Sequence, residues 1–241
     1  MLLCAAATCN AFGQGKTLYQ VNLVKPKPGM ASTFEASWKA HRDKFHSKDD
    51  KRTVYEITSG PDDGSFIIVD GPFSYADMDK EKPNTKEHDL DLEKNFSPKV
   101  EPNNQTALFR WADTLSYNGD AKADKFLVTV TQVKDGKMGE YLTEIRRNAI
   151  VSANLKSPFS FNVLVKQQAG SSPMLVTIRN LKEGFKELEV NYFNLPQNGF
   201  RDEYVKQYGQ EDWDKRQKLL VDDVVSREQH FEKLRTDLSS K

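Results

Sequence analysis

The feature of this sequence that most constrains its fold is a weak internal repeat with an offset of roughly 107–109 residues. The segments that begin at Leu18 and at Phe126 both read as apolar strands, and both run into a short turn rich in Pro, Gly or Asp. A chain of 241 residues can hold two modest cores. The repeat therefore predicts two similar units of about half the chain each.

A helix is predicted after each turn, over residues 30–46 in the first half and 138–153 in the second. Apolar and aromatic residues recur there at three- and four-residue spacing, which aligns them on the face toward a sheet. That face carries Phe34, Trp38, His41 and Phe45 in the first helix, and Tyr141, Ile145 and Asn148 in the second.

Two strands are predicted after each helix, over residues 53–58 and 65–70, then 159–167 and 174–179. Ser74 and Asp77 form a capping-box pattern. The polar stretch 82–105 is predicted to be a long loop with at most a broken helix, and residues 210–237 one amphipathic helix.

The order strand, helix, strand, strand, helix is that of a ferredoxin-like unit, a two-layer arrangement that leaves one face of its sheet uncovered. Two such units bury that face by pairing sheet to sheet. The predicted fold class is therefore α+β, with ferredoxin-like units over residues 14–119 and 120–241 fused as a pseudo-dimeric α/β barrel.

Residues 1–13 form a short apolar run that closes on small residues, as the tail of a secretory signal peptide does. This predicts a secreted or periplasmic protein cleaved near Gln14. Both cysteines, Cys4 and Cys9, lie in this leader, so the predicted mature chain has no thiol for disulfides or thiolate chemistry. No other segment approaches the roughly 20 apolar residues that span a bilayer.

Charge and motifs exclude several function classes. The 35 Lys and Arg residues balance 35 Asp and Glu residues, so the chain lacks the positive field that draws nucleic acid to a protein. The phosphate-loop, dinucleotide, zinc-protease and serine-hydrolase motifs are also absent.

Two local traces accompany the predicted architecture: Pro28 and Gly29 before the aromatic stripe of the first helix, and the segment 71–73, Gly-Pro-Phe, after the third strand. With them, residues 17–239 resemble the dimeric α/β-barrel superfamily, which includes antibiotic-biosynthesis monooxygenases, haem-degrading monooxygenases and NIPSNAP-type proteins.

The resemblance implies an active site between helices and sheet within one ferredoxin-like unit, where the haem-degrading members use Asn, Trp and His. It maps these residue types onto Asn22, Trp38 and His41, the candidate catalytic residues, and it allows haem as a cofactor; the residues alone predict none. The chain departs from the pattern because Trp38 and His41 share the first helix and the third strand has no tryptophan.

The four histidines have competing interpretations. His41 is either a general base or ligand of near-neutral pKa, or an ordinary core residue. His46 lies five residues on, about 140° around a helix, so the two are not expected to share a metal ion. His88, among the acidic residues 87–91, is expected in a solvated loop, and His230 on the exposed side of the last helix. No metal site is predicted.

Aromatic residues later in the chain are expected to be structural. Trp111 and Trp213 lie at helical spacing from other apolar residues and predict core packing. Tyr192, Phe193 and Phe200 form an aromatic loop that either caps a cavity or seals the barrel end.

Two functions remain. The first is an exported, non-enzymatic barrel that binds a small apolar ligand or serves as a structural module. The alternative is a cofactor-independent or haem-dependent monooxygenase-like enzyme. Whether the chain is a monomeric pseudo-dimer or a homodimer stays open.

Overall fold

The computed structural model describes residues 15–46, 50–80, 85–102, 105–119, 121–167, 173–196 and 198–240. The predicted leader lies outside the described residues. In the described part, eight strands form one closed barrel. They are β1 (Leu18–Val24), β2 (Arg52–Ile57), β3 (Phe66–Phe73), β4 (Gln105–Trp111), β5 (Lys125–Val133), β6 (Ser160–Lys166), β7 (Met174–Asn180) and β8 (Val224–Leu234).

Helices cover the outside of the barrel. They are α1 (Ala31–Phe45), α2 (Tyr75–Met78), α3 (Thr85–Asp91), α4 (Met138–Asn154), α5 (Gly199–Tyr208) and α6 (Gln210–Asp222). A π-helical turn at Leu92–Phe96 follows α3, and 3₁₀ turns lie at Ser97–Lys99, Asp113–Leu115 and Phe185–Leu188. No helix in the described ranges is long and apolar enough to cross a membrane.

The barrel order is β1-β3-β2-β8-β5-β7-β6-β4, and all neighbouring strands are antiparallel. Each half contributes four adjacent strands, β4-β1-β3-β2 from the first and β8-β5-β7-β6 from the second. The pairs β2–β8 and β4–β6 join the halves. The predicted α+β barrel is confirmed at this level.

Most local predictions agree with the structure. The first strand has the predicted bounds, the first helix is one residue shorter than predicted at each end, and the fourth helix ends one residue later than predicted. The capping box at Ser74 is formed, with the Ser74 backbone N–H donating to Asp77 Oδ2 at 3.0 Å. The predicted broken helix in the polar stretch is α3 with the two short turns after it; residues 82–84, 103 and 104 lie outside the described residues.

Two strands were missed. The single helix predicted over residues 210–237 is wrong, because α6 ends at Asp222 and β8 follows. Val224 and Val225 are β-branched, which favours a strand. β8 also pairs with β5 along most of its length, so β5 supplies the backbone hydrogen-bond partners, and the spacing of apolar residues in the sequence does not reveal this pairing. The helical spacing around Trp111 is likewise misleading, because this half-buried residue ends β4.

The helix layer of the first half is filled. A buried cluster packs there between α1 and the sheet, and it includes Val24, Phe34, Trp38, Val54, Phe66, Ile68, Phe96, Val100 and Leu238. The C-terminal segment seals it: the Trp38 indole N–H donates to the Leu238 carbonyl at 2.9 Å, and Arg42 donates to the Asp237 carbonyl at 2.7 Å. The second half, by contrast, leaves space under its helix.

Candidate functional site

A cavity of about 920 Å³ lies between α4 and the sheet in the second half. Its described lining is mainly apolar, with two arginines and a few neutral polar groups. The members are Leu127, Thr129, Ile145, Asn148, Ser152, Leu155, Ser157, Pro158, Phe159, Phe161, Thr177, Arg179, Asn191, Leu195, Pro196, Gly199, Phe200 and Arg216.

The sheet side of the cavity follows from strand register. Phe161 and Leu127 both pair with Arg179, from opposite sides, so these three residues form one row across β6, β7 and β5. Thr129 pairs with Thr177 in the next row on the same face. The floor therefore combines apolar surface, two hydroxyls and one guanidinium.

Arg179 is held in place beside an aromatic ring. Its Cζ lies 4.2 Å from the Phe159 ring centroid, and Nη2 lies 3.6 Å from Glu187 Oε2. Its Nε is buried and has no hydrogen-bond partner among the described residues. Burial lowers the pKa of Arg179 against the opposing effect of Glu187.

Arg216 reaches the cavity from α6. Its Nε and Nη2 both donate to Asn148 Oδ1 at 3.2 Å, and its Cζ lies 5.0 Å from the Trp213 ring centroid. It forms no ion pair within the described part of the chain. Burial lowers the pKa of Arg216, because the loss of water outweighs the smaller opposing effects of Tyr204, Glu144 and Tyr141.

The aromatic loop caps the cavity. Asn191, Leu195 and Phe200 from this segment all line it, so the capping interpretation describes the structure better than the sealing one. Phe193 packs edge-on against Phe159 with ring centroids 5.2 Å apart, which ties the loop to the cavity wall. Asn148, which the sequence places on the sheet-facing side of its helix as it does His41, is also part of the lining.

The three candidate catalytic residues lie in the first half, away from this cavity. The Trp38 and His41 rings are buried 5.7 Å apart on α1. Asn22, on β1, instead makes hydrogen bonds along the sheet: it donates to the Ile68 carbonyl at 3.3 Å and accepts from Thr106 at 2.8 Å. Whether any of them is catalytic stays a prediction.

His41, His46 and His88 form a cluster. One ring nitrogen from each lies within 4.8 Å of the others, and the Nε2 atoms of His41 and His46 are 3.2 Å apart. The helical angle that was expected to separate His41 from His46 is wrong here, because α1 ends at Phe45 and His46 leaves the helix with φ −116° and ψ 69°. The solvated-loop expectation for His88 is also wrong, since α3 places its ring beside the other two.

Each Nδ1 of the cluster faces a carboxylate. His41 meets Asp91 Oδ2 at 2.7 Å and His46 meets Asp50 Oδ2 at 2.8 Å. His88 meets Asp89 Oδ1 at 3.2 Å. Burial lowers the pKa of His41 against the opposing hydrogen bond to Asp91, and that hydrogen bond lowers the pKa of Asp91. In this arrangement Nδ1 of His41 and of His46 donates to a carboxylate, and the two Nε2 atoms face each other.

His230 lies on β8 rather than on a helix, and its Nε2 contacts Glu232 Oε1 at 2.9 Å. The expectation of an exposed histidine without a partner is therefore wrong. Both residues belong to a strand that sequence periodicity alone assigned to a helix.

The described lining of the cavity does not suit haem. Haem iron in proteins is held by His, Cys, Met or Tyr side chains. None of these lines the cavity within the described residues. The three histidines of the cluster converge on one point, which suits a single ion rather than a macrocycle that already supplies four ligands.

Compared with protein-family models, the sequence matches none, and no curated protein is similar to it in sequence. Solved structures are similar in fold. An anthrone oxidase-like protein is 15% identical with a TM-score of 0.58, covering 92% of each chain. A proposed monooxygenase from Lactobacillus acidophilus NCFM is 10% identical, TM-score 0.53, covering 93% of this chain and 96% of that one.

A mutant chlorite dismutase from Candidatus Nitrospira defluvii is 5% identical with a TM-score of 0.52, covering 90% of this chain and 91% of that one. These proteins belong to the dimeric α/β-barrel superfamily. At such identities the likeness shows the fold alone, so the function has to be argued from the residues.

Proposed function

We propose that this protein binds a small, mainly apolar molecule with an anionic group in the cavity of its second half. The observation that carries the proposal is Arg216, a partly desolvated cation that forms no ion pair with the described residues, set in an apolar cavity of about 920 Å³. Cavities of roughly 300–1,000 Å³ with a few placed polar groups are typical of small-molecule sites.

The apolar walls would bind the body of the ligand, and the arginine would bind its anionic group. Burial of about 200 Å² of ligand surface contributes about 5 kcal/mol before the cost of association. A charge-assisted hydrogen bond adds roughly 1.5–3 kcal/mol and fixes the orientation. The body of the ligand would contact Phe161, Ile145 and Leu127, and its anionic end would contact Arg216.

The finer architectural predictions belong to this proposal. We infer that two ferredoxin-like units were fused, which the matching orders β4-β1-β3-β2 and β8-β5-β7-β6 support. In this interpretation the first half keeps a filled helix layer and the second keeps the ligand cavity. Export remains part of the proposal and rests on the leader alone.

The halves also bear on assembly. Because they close the barrel on each other, the described strands all have two neighbours, and no sheet edge is left to pair with a second chain. We therefore propose a monomeric pseudo-dimer rather than a homodimer joined through strands. Sedimentation equilibrium at two protein concentrations tests this, since a mass near 55 kDa, twice the 27.5 kDa of one chain, would contradict it.

A cofactor-independent oxygenase is the second candidate. The fold likeness to an anthrone oxidase-like protein and to a proposed monooxygenase favours it, and the cavity lies between a helix and the sheet as in the enzymes that the sequence resembles. The described lining contains no Asp, Glu, His or Lys side chain to act as a general base. Binding is therefore the first proposal. An oxygenase with this lining would need a substrate acidic enough to lose its proton without a base from the protein.

The experiment is a pair of fluorescence titrations of the purified protein, with anthracene-9-carboxylate and with anthracene-9-methanol. These probes share an apolar body and differ in charge. The proposal expects the carboxylate to bind at least tenfold more tightly; equal affinities or no binding of either would overturn it. Oxygen uptake with anthrone, measured in parallel, would favour the oxygenase.

A further inference from the structure

The histidine cluster lies in the first half, and the proposed ligand cavity does not use it. We propose that His41, His46 and His88 form a binding site for one late first-row divalent metal ion, such as Zn²⁺. The spacing of the ring nitrogens, the groups that orient the rings and the burial of the cluster all support such a site.

The distances between the candidate ligand atoms suit a tetrahedral metal ion. Two nitrogens bound to a tetrahedral zinc ion at about 2.0–2.1 Å lie about 3.3 Å from each other. His41 Nε2 and His46 Nε2 are 3.2 Å apart, and the nitrogen of His88 lies within 4.8 Å of both. Two ligand atoms are thus already placed, and a small rotation of the half-exposed His88 ring brings in the third.

The hydrogen bonds of the rings also favour a cation between them. With Nδ1–H donated to a carboxylate, His41 and His46 turn their Nε2 atoms toward each other, and a ring nitrogen of His88 lies within 4.8 Å of both. Lone pairs that face each other at 3.2 Å repel unless a proton or a cation lies between them. A single proton can join only two of the rings and creates an imidazolium in a buried place, whereas one metal ion satisfies all three.

The carboxylates around the rings resemble the outer shell of a metal site. Histidines that bind metal ions commonly donate their other N–H to a carboxylate, which fixes the tautomer and the ring orientation. All three rings here have such a partner, and two of the partners are themselves held. Asn95 Nδ2 donates to Asp91 at 2.9 Å, and Arg52 Nη1 donates to Asp50 at 2.6 Å.

Burial makes the cluster rigid on one side. His41 and His46 are 2% and 4% exposed, the Trp38 ring stacks on His46 at 5.8 Å, and Phe45 packs on His41 at 4.9 Å. His88 retains 28% side-chain exposure, so the ion would enter from its side. With three described protein ligands, the fourth tetrahedral position is left to water or a small ligand, as in catalytic zinc sites.

The ligand set selects the ion. Imidazole nitrogens suit Zn²⁺, Cu²⁺, Ni²⁺ and Co²⁺, whereas Mg²⁺ and Ca²⁺ prefer oxygen ligands. Mg²⁺ therefore serves as a negative control in the same experiment.

The test is calorimetric titration of EDTA-treated, dialysed protein with Zn²⁺, and Co²⁺ titration followed by visible absorption. We expect one ion per chain, a tetrahedral Co²⁺ spectrum, a higher thermal midpoint with Zn²⁺, and no response to Mg²⁺.

His88→Ala alters a half-exposed residue on a short surface helix, so the fold should survive, and the variant should bind Zn²⁺ at least 100-fold more weakly. His230→Ala, a histidine outside the cluster, should bind as the unaltered protein does.

Asp50→Asn provides a readout that loss of packing would not give. It keeps the shape of a side chain that does not touch the ion, and removing such an outer partner typically costs 10–100-fold in affinity. We expect that loss with the one-to-one stoichiometry retained. The proposal is overturned if the unaltered protein takes up no Zn²⁺ at millimolar concentration, or if His88→Ala and His230→Ala bind equally well.

Discussion

Arg216 donates two hydrogen bonds, from Nε and Nη2, to the single oxygen Oδ1 of Asn148, each 3.2 Å long. The amide orients the guanidinium and joins α6 to α4 across the cavity, but it carries no charge. The cation is therefore fixed in direction and forms no ion pair with the described residues, although Glu144 lies near enough to favour its charged form. An anionic group of a ligand can form the ion pair that Arg216 lacks. The proposed function therefore depends on Arg216 and Asn148.

Replacing Arg216 with Met keeps an unbranched, apolar side chain and removes the charge. We expect the affinity for anthracene-9-carboxylate to fall at least tenfold, about 1.4 kcal/mol, with little change for anthracene-9-methanol. Lys218→Met is the matched control, because this exposed residue on the same helix loses the same charge. If both variants lose affinity equally, the effect is one of net charge and not of the cavity.

Filling the cavity should block binding without unfolding the protein. Thr177→Phe places a ring on the floor of the cavity, in a strand where aromatic residues are favoured. We expect both anthracene probes to lose at least tenfold in affinity, while the urea midpoint stays the same or rises because empty space is filled. Unchanged binding of the probes would place their site elsewhere.

Two tyrosines should ionise late. Burial, with Glu232 and Tyr19 nearby, raises the pKa of Tyr55 to about 12. Burial and the hydrogen bond to Glu144, 2.5 Å long, raise the pKa of Tyr204 to about 12. Their folded pKa values lie above the unfolded value of 10.0, so their contribution to stability is complete below pH 10 and is lost as the pH rises toward 12.

Ultraviolet difference titration checks this prediction. The folded protein should show a tyrosinate fraction that appears only near pH 12, and the fraction should shrink in Tyr55→Phe and in Tyr204→Phe. All eight tyrosines titrating together near pH 10 would contradict the burial of these two phenols.

Arg235 ties the C-terminus to the first half. It donates to Glu35 at 2.8 Å, to Glu56 at 3.0 Å and to Asp237 at 2.9 Å, and only 16% of its side chain is exposed. Arg235→Met should lower the free energy of unfolding by about 2–3 kcal/mol, because it removes the cation shared by Glu35 and Glu56 and leaves Asp237 with Lys39 alone. Urea unfolding measures this, and a loss no larger than that of the exposed Arg201→Met would contradict it.

Sequence patterns predicted the elements whose order is local. The strands and long helices that recur across the repeat lie where the apolar periodicity placed them. β4 and β8, which the prediction missed, depend on partners distant in sequence: β8 pairs with β5 and β2, and β4 with β1 and β6. Their residues satisfy a helical spacing as well, so only the pairing decides between the two.

The candidate sites were predictable in part. Asn148 and the aromatic loop were flagged, but Arg179 and Arg216 were not, because a strand residue and a helix residue of like charge give no signal until the fold brings them to one cavity. The histidine cluster was missed because its geometry depends on α1 ending at Phe45 and on a short helix within a polar stretch. An acidic residue one to four positions after His46 and His88 was the available signal.

The most direct test of the central claim is a crystal structure of the protein with anthracene-9-carboxylate bound. The account predicts the carboxylate within hydrogen-bond distance of Arg216 and the ring system against Phe161, under the loop that includes Leu195 and Phe200. A probe bound on the outer surface, inside the barrel or at the histidine cluster, with the second-half cavity empty, would contradict it.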